Sequence, residues 1–158
     1  MKGKKLDQID VRILQALQND SSLSQRQLAE RVGLSPNACW RRLQAIQASG
    51  IIRGYSVRLD RTAIDLGVVV FAMIKTRHHS KEWLQAFRKH VTSIPEVVDF
   101  FRIGREYDYM LKIVAEDINS YDKVYQRLIN KVELETVTSH FAMETIEEQR
   151  PYPIRGPR

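Results

Sequence analysis

The sequence predicts an α+β protein in which a small helical domain precedes a domain built on an antiparallel sheet. Two observations lead to this fold class. The ends of two short helices are marked within the stretch "SQRQLAERVGLSPNACWRRLQAIQASG", and the chain beyond residue 66 follows the order strand, helix, strand, strand, helix, strand. A length of 158 residues accommodates two small domains of this kind.

Positive charge is concentrated in the N-terminal part of the chain. Residues 1–60 contain ten Lys and Arg against five Asp and Glu, whereas residues 61–158 contain fifteen against fourteen. This distribution favours a polyanionic partner for the first domain. A single cysteine, Cys39, excludes an internal disulfide and a cysteine-built metal site, and the longest apolar run, "GVVVFAMI", is too short to cross a membrane. We therefore expect a cytoplasmic protein without membrane contact.

Helix-capping residues predict where the first two helices begin and end. Asp7 is a suitable N-cap for a helix that carries its apolar residues on one face. Ser24 and Gln27 then form the pattern of a capping box for a second helix. Gly33 supplies the left-handed residue that closes this helix.

A third helix follows at once and predicts a helix-turn-helix. Ser35 is its N-cap, Pro36 takes the first helical position, and Gly50 ends it. The two helices are joined only by "GLS", which is typical of this motif. Three apolar residues with helical spacing are expected to pack against the other helices: Cys39, Leu43 and Ile46.

The opposite face of the third helix carries side chains suited to base edges and phosphates. Arginine makes bidentate contacts with guanine, and asparagine or glutamine with adenine. We therefore expect this helix to read double-stranded DNA, with Asn37, Trp40, Arg41, Gln44 and, at the edge of the face, Arg42 as candidates. A merely solvated polar face is the alternative interpretation, and Trp40 could instead pack on a neighbouring element.

An alternating segment follows the third helix. Tyr55, Val57 and Leu59 alternate with polar residues, which predicts a strand that serves as a wing or as a connector. The C-terminal decapeptide has three prolines and three arginines, which predict an arm or a partly disordered segment. The expected organisation is a winged helix-turn-helix domain, a linker, a second domain and a tail, over residues 1–60, 61–66, 67–148 and 149–158.

The second domain has the βαββαβ order of a ferredoxin-like fold. Helices are predicted after the N-caps Ser80 and Asp117, and the middle two strands flank "GREY" as a hairpin. Right-handed crossovers place both helices on one side of the sheet. The predicted strands cover residues 68–76, 97–103, 108–115 and 134–145.

The first strand of this domain carries apolar residues on both of its faces. A strand covered on one side only should alternate with polar residues, so the pattern predicts a second covering layer. Self-association through the sheet is the simplest source of that layer. A dimer would also hold two reading helices about 34 Å apart, one turn of duplex DNA.

These motifs resemble those of the Lrp/AsnC, or feast/famine, family of transcription regulators over nearly the whole chain. The matching stretches are "LDQIDVRIL", "LSQRQLAERVGLSPNACWRRLQAIQASGIIRGY" and "EYDYMLKI". The resemblance implies a winged DNA-binding unit and a ferredoxin-like effector domain. It also implies dimers that assemble to octamers, and an amino acid or related small molecule as effector, bound near the hairpin. No cofactor or metal is expected.

The resemblance also assigns residues. In the reading helix it implies DNA contacts by Ser35, Asn37, Arg41 and Arg42. In the effector domain it places the family's D-Y pair and the adjacent last strand in the effector region. The implied effector-binding residues are Gly104, Arg105, Tyr107, Asp108, Tyr109, Ser139, His140 and Phe141.

The hairpin departs from the family pattern at one position. Many relatives have glycine directly before the acidic residue of G-[DE]-x-D-Y, where this chain has Arg105. An arginine could bind a carboxylate bidentately, which suits an amino-acid or organic-acid effector. It could instead block the pocket or pair with Glu106.

Other functions have less support. The four histidines have no metal-ligand spacing, and the chain lacks a P-loop, G-x-G-x-x-G and a nucleophile elbow, which argues against an enzyme. RNA binding shares the βαββαβ topology, but the aromatic-rich third-strand motif is missing. An architectural protein that binds DNA without an effector remains the main alternative to a sequence-specific regulator.

Overall fold

The computed structural model describes residues 5–156, which form two compact units. The described part of the N-terminal unit is residues 5–58 together with residues 147–156, and the C-terminal unit is Leu59–Ile146. The expected linker therefore lies within the C-terminal unit, where it contains a 3-10 turn, Thr62–Ile64. The tail, expected as an arm, belongs to the N-terminal unit.

Three helices form the N-terminal unit: α1 Gln8–Asn19, α2 Gln25–Val32 and α3 Pro36–Ala48. The predicted caps are confirmed. Asp7 accepts from the backbone N–H of Asp10 at 2.8 Å, and Ser24 and Gln27 form a reciprocal capping box. Gly33 closes α2 in the left-handed region, with φ of 71°, as the short turn requires.

The three helices enclose one apolar cluster, and the predicted inner face of α3 is confirmed. Cys39 and Ile46 are fully buried there together with Ile13 and Leu28. Burial raises the pKa of the Cys39 thiol, as expected for a small core residue. The inner face of α3 is thus committed to packing, and its polar side chains must point elsewhere.

The strand expected from Tyr55 to Asp60 does not form. This stretch has no regular secondary structure, and Val57 is 79% exposed. A strand needs a partner for its backbone groups, and within the described residues all strand pairing occurs in the C-terminal sheet. Alternation alone therefore predicted a strand here wrongly.

The predicted βαββαβ order of the C-terminal unit is confirmed. The elements are β1 Val68–Lys75, α4 Lys81–Thr92, β2 Val97–Arg102, β3 Tyr109–Ala115, α5 Ile118–Ile129 and β4 Thr136–Phe141. The antiparallel sheet has the order β2-β3-β1-β4. The last strand is shorter than the predicted 134–145. The Ala142 amide still donates to the Val69 carbonyl. Because β1 begins at Val68, the residues after Ala142 have no partner strand.

The two faces of the sheet differ in what covers them. On one face, Val70, Ala72 and Ile74 pack against the buried faces of α4 and α5. On the other face, Met73 of β1 stands opposite Met110 of β3, both partly exposed, and Phe101 of β2 is 50% exposed. We call this second side the open face. Its apolar character matches the expectation from the β1 sequence.

We expect Phe87→Ala to destabilise the C-terminal unit by about 3–5 kcal/mol, because the fully buried ring packs on Phe100 and Tyr109. Urea unfolding followed by circular dichroism measures the change. Met143→Ala, at a side chain that is 98% exposed, is the control and should change stability by less than about 0.5 kcal/mol. Equal losses from both variants would contradict this account of the core.

Candidate DNA interface and effector region

The turn between α2 and α3 fixes how the third helix is presented. The Leu34 amide donates to the Ala29 carbonyl at 2.9 Å, and the Ser35 hydroxyl accepts from the Ala38 amide at 3.3 Å. Ser35 is therefore occupied as the N-cap of α3, and Pro36 takes the first position, where no N–H is needed. The start of α3 is exposed beside this corner.

The outer face of α3 carries four exposed side chains that the sequence predicted as DNA contacts: Asn37, Trp40, Arg41 and Gln44. Trp40 is 49% exposed, which decides against its burial on a neighbouring element of this chain. The Gln44 amide donates to Gln47, and Gln47 donates to the Tyr55 hydroxyl at 2.9 Å. The outer face is thus polar, cationic and open to a partner.

Arg42 lies on a different side of α3 from its neighbour Arg41. Its Nη1 donates to Asp7 Oδ2 at 2.6 Å and to Asp10 Oδ1 at 3.0 Å. The hydrogen bond from the Asp10 amide, followed by that from Arg42, lowers the pKa of Asp7, and both carboxylates raise the pKa of Arg42. The structure therefore directs the side chain of this predicted DNA contact to the start of α1, where its ion pairs link the two helices.

Asp10 was missed by the sequence reasoning. Its side chain is only 3% exposed, which is costly for a carboxylate unless it is paired. The D-x-x-D spacing of Asp7 and Asp10 predicts a helix cap, and both reciprocal bonds of that cap are present. The partner Arg42 is 32 residues away in the chain, beyond the reach of any local pattern.

Asp108 builds the hairpin between β2 and β3. Its carboxylate accepts from the Thr76 amide at 2.9 Å, and its own amide donates to the Ile74 carbonyl at 2.8 Å. Its carbonyl accepts from the Ile103 amide at 2.8 Å. Asp108 thus anchors the hairpin to the end of β1.

The two tyrosines beside Asp108 occupy different surroundings. Tyr109 is buried in an aromatic cluster with Phe87 and Phe100, so it belongs to the core. Tyr107 is partly exposed, and its hydroxyl donates to Thr138 at 3.5 Å. Of the two, only Tyr107 presents surface next to β4.

The predicted effector residues of β4 divide between the two faces of the sheet. Ser139 shares a short hydrogen bond with the hydroxyl of Tyr121, and Phe141 packs edge-on against the same ring. Burial raises the pKa of Tyr121. His140 lies between these two residues and points to the open face, paired in register with Phe71. The structure therefore does not bring Ser139, His140 and Phe141 to one point.

Arg105 has an unusual backbone conformation. Its φ is 79°, in the left-handed region that favours glycine, while Gly104 beside it has no positive φ. The side chain is exposed. The left-handed backbone at this position explains why the family pattern has glycine there. This chain has an arginine instead, which places a cation at the position.

Among residues 5–156, none of the helices has both the length and the apolar character that a membrane crossing requires. No group of three or more His, Cys, Asp or Glu side chains in that range could hold a metal ion.

Two family models match the chain. Residues 69–152 match the Lrp/AsnC ligand binding domain, and residues 6–53 match a winged helix-turn-helix DNA-binding domain. The first match covers the C-terminal unit with the hairpin, and the second covers the three helices.

Curated relatives are similar over almost their full length. The chain is 45% identical over 150 residues to the DNA-binding transcriptional activator DecR of Escherichia coli, covering 94% of this chain and 99% of the relative. It is 38% identical over 151 residues to the glutamate uptake regulatory protein of Zymomonas mobilis, covering 96% and 92%.

Solved structures share the architecture. An AsnC family transcriptional regulator from Agrobacterium tumefaciens superposes with a TM-score of 0.91 at 43% identity, covering 94% of this chain and 97% of that one. A transcriptional regulator from Neisseria meningitidis, in complex with L-Met, superposes with a TM-score of 0.88 at 32% identity and the same coverage.

We expect Arg42→Ala to lower the stability of the N-terminal unit by on the order of 1–3 kcal/mol, because Asp10 loses a charged partner in a buried position. Arg41→Ala is the matched control and should change stability by less than about 0.5 kcal/mol. Urea unfolding of both variants measures the difference. Identical midpoints for the two would show that the ion pair does not brace the helices.

Proposed function

Because the chain belongs to the Lrp/AsnC family of DNA-binding transcription regulators, we propose that the outer face of α3 selects a specific duplex sequence. The observation that carries this proposal is the exposed set of base-reading side chains on a helix whose opposite face is fully committed to the core. In this proposal Arg41 contacts guanine or phosphate, and Asn37 and Gln44 contact base edges. Trp40 packs against sugar or base.

Two of the predicted DNA residues receive narrower roles. Ser35 caps α3 through its hydroxyl, so it contributes the orientation of the helix N-terminus, where backbone N–H groups favour a phosphate. Arg42 pairs with Asp7 and Asp10, and in this proposal it supports α3 against α1 and leaves the contact with the duplex to Arg41. The excess of Lys and Arg in residues 1–60 supplies the attraction to phosphate.

We further propose that two copies associate through the open face of the sheet and that dimers assemble to larger rings such as octamers. Met73, Met110 and Phe101 provide the apolar surface that a second copy would bury. A symmetric dimer presents two reading helices to half-sites about one helical turn apart.

The effector in this proposal is an amino acid or a related acid that binds near the hairpin. Relatives support this class, since one is named for glutamate uptake and a similar structure holds L-Met. Tyr107 and the exposed guanidinium of Arg105 offer a hydroxyl and a cation to a carboxylate. Asp108, Tyr109, Ser139 and Phe141 shape the region from within, and His140 faces the open side.

We propose that the protein lies with the chromosome in the cytoplasm and has no catalytic role. An architectural DNA-binding protein would use the same face of α3 without sequence choice. Binding to the gene's own upstream region and to scrambled DNA at one salt concentration separates the two. A regulator gives an affinity ratio well above one, and an architectural protein a ratio near one.

We expect Arg41→Ala to weaken binding to the specific site by about 1–3 kcal/mol and to reduce discrimination against scrambled DNA. Gel shifts or fluorescence anisotropy at fixed salt measure both quantities. Arg88→Ala, at an exposed arginine on α4, is the charge-matched control and should leave discrimination unchanged. Unchanged affinity and specificity in Arg41→Ala would remove α3 from the reading role.

We expect Met110→Glu to shift the protein to a single-chain particle, because a carboxylate in the middle of the open face cannot be buried against a second apolar sheet. Light-scattering mass at micromolar concentration measures the change. Met143→Glu, at an exposed position beyond the sheet, is the control. A wild-type mass equal to one chain would refute association through the open face.

We expect Arg105→Gly to abolish thermal stabilisation by the effector while leaving the hairpin intact, since glycine accepts the left-handed backbone that Arg105 now adopts. A screen of the twenty amino acids identifies the effector, and a ligand at a hundred times its Kd adds about 2.7 kcal/mol. Arg105→Lys keeps a positive charge and should retain part of the response. Full stabilisation of Arg105→Gly would exclude a direct role for the guanidinium.

A further inference from the structure

The C-terminal segment returns to the N-terminal unit and binds along α1. Tyr152 and Gln18 exchange two hydrogen bonds: the Tyr152 amide donates to Oε1 at 2.7 Å, and Nε2 donates to the Tyr152 carbonyl at 3.2 Å. Gln15 Nε2 then donates to the Ile154 carbonyl at 3.5 Å. Successive tail residues therefore meet α1 at successively earlier positions, which makes the segment antiparallel to the helix.

Side-chain packing adds to these hydrogen bonds. Ile154 is partly buried against the apolar cluster of the three helices. Gly156 comes so close to α1 that a Cβ at this position would lie 2.6 Å from Nε2 of Gln8. Pro151 and Pro153 restrict the backbone on either side of Tyr152, which lowers the entropy lost when the segment is ordered.

The chain passes between the two units twice. It leaves the N-terminal unit after Arg58 and returns to it after Ile146. The return follows shortly after β4, which ends at Phe141 in the predicted effector region. The DNA-binding unit is thus attached to both ends of the ligand-binding domain.

We propose that residues 150–156 form a C-terminal strap that holds α1 in place and gives the ligand-binding domain a second connection to the reading helix, made by non-covalent contacts at α1. The strap lies along α1, and α1 holds α3 through the contacts of Asp7 and Asp10 with Arg42. Displacement of the strap therefore alters the support of α3. The regulatory part of this proposal rests on the proposed function, whereas the structural part does not.

Hydrogen exchange of the full chain tests the structural part without DNA or effector. Gln18→Ala removes both hydrogen bonds to Tyr152, and we expect the amides of α1 to exchange about tenfold faster. Ile154→Ser weakens the packing of the strap while leaving the sequence of α1 unchanged, and it should give the same change. Tyr152→Ala is the matched control, because its side chain is 83% exposed and only its backbone bonds to Gln18.

The outcomes of the exchange experiment are separable. Faster exchange in Gln18→Ala and Ile154→Ser, with wild-type exchange in Tyr152→Ala, supports the strap. Unchanged exchange in Ile154→Ser overturns the strap. Faster exchange in Gln18→Ala alone would then reflect only the substitution within α1 itself.

DNA binding tests the regulatory part. We expect both strap variants to bind the upstream DNA about 3–10 times more weakly and to lose most of the affinity change that saturating L-methionine or L-glutamate causes in the wild type. A wild-type response to these amino acids in both variants overturns the coupling. If the wild type itself does not select its upstream DNA, the proposed function fails, while the exchange experiment still decides the strap.

Discussion

The ion pairs of Arg42 with Asp7 and Asp10 fix the orientation of α3 against α1 and so determine which side chains of α3 are exposed. Arg42 reaches from α3 to the capping box of α1, where Asp7 caps the helix and Asp10 is buried. Successive residues of a helix point about 100° apart, so fixing Arg42 against α1 turns Arg41 towards solvent. Two adjacent arginines with the same charge thus have different surroundings, since Arg42 is paired with α1 and Arg41 is exposed on the outer face. The ion pairs and the proposed reading face both follow from one orientation of the helix.

The C-terminal unit shows a similar division between support and surface. Asp108 and Tyr109 look like binding residues because they are polar or aromatic and lie in the hairpin. The structure uses Asp108 to bind the end of β1 and Tyr109 to fill the core. The side chains that remain at the surface between Gly104 and Asp108 are those of Arg105 and Glu106, which are exposed, and Tyr107, which is partly exposed. The anchored part of the hairpin holds them in place, and Arg105 and Tyr107 are the two that we propose meet the effector.

Local features of the structure could be predicted well from the sequence. Ser24, Ser35 and Gly33 act on residues within one helical turn, so the helix ends follow from short patterns. The βαββαβ order of the second unit followed from alternation and helix-capping patterns. Contacts between distant residues could not be predicted, since Arg42 meets Asp7 across 35 residues and Gln18 meets Tyr152 across 134. The Tyr55–Asp60 stretch was wrongly predicted as a strand, because its alternating pattern cannot show whether a second strand lies beside it.

The course of the C-terminal segment has a practical consequence for handling the protein. Gly156 lies against Gln8, the first residue of α1. A purification tag fused shortly beyond that glycine would begin beside the first turn of α1, although in sequence it directly follows the ligand-binding domain. A minimal DNA-binding fragment cut after the third helix would in turn lose the segment that covers α1. Recombinant versions should therefore keep this end of the chain unmodified, or carry tags that are removed before binding is measured.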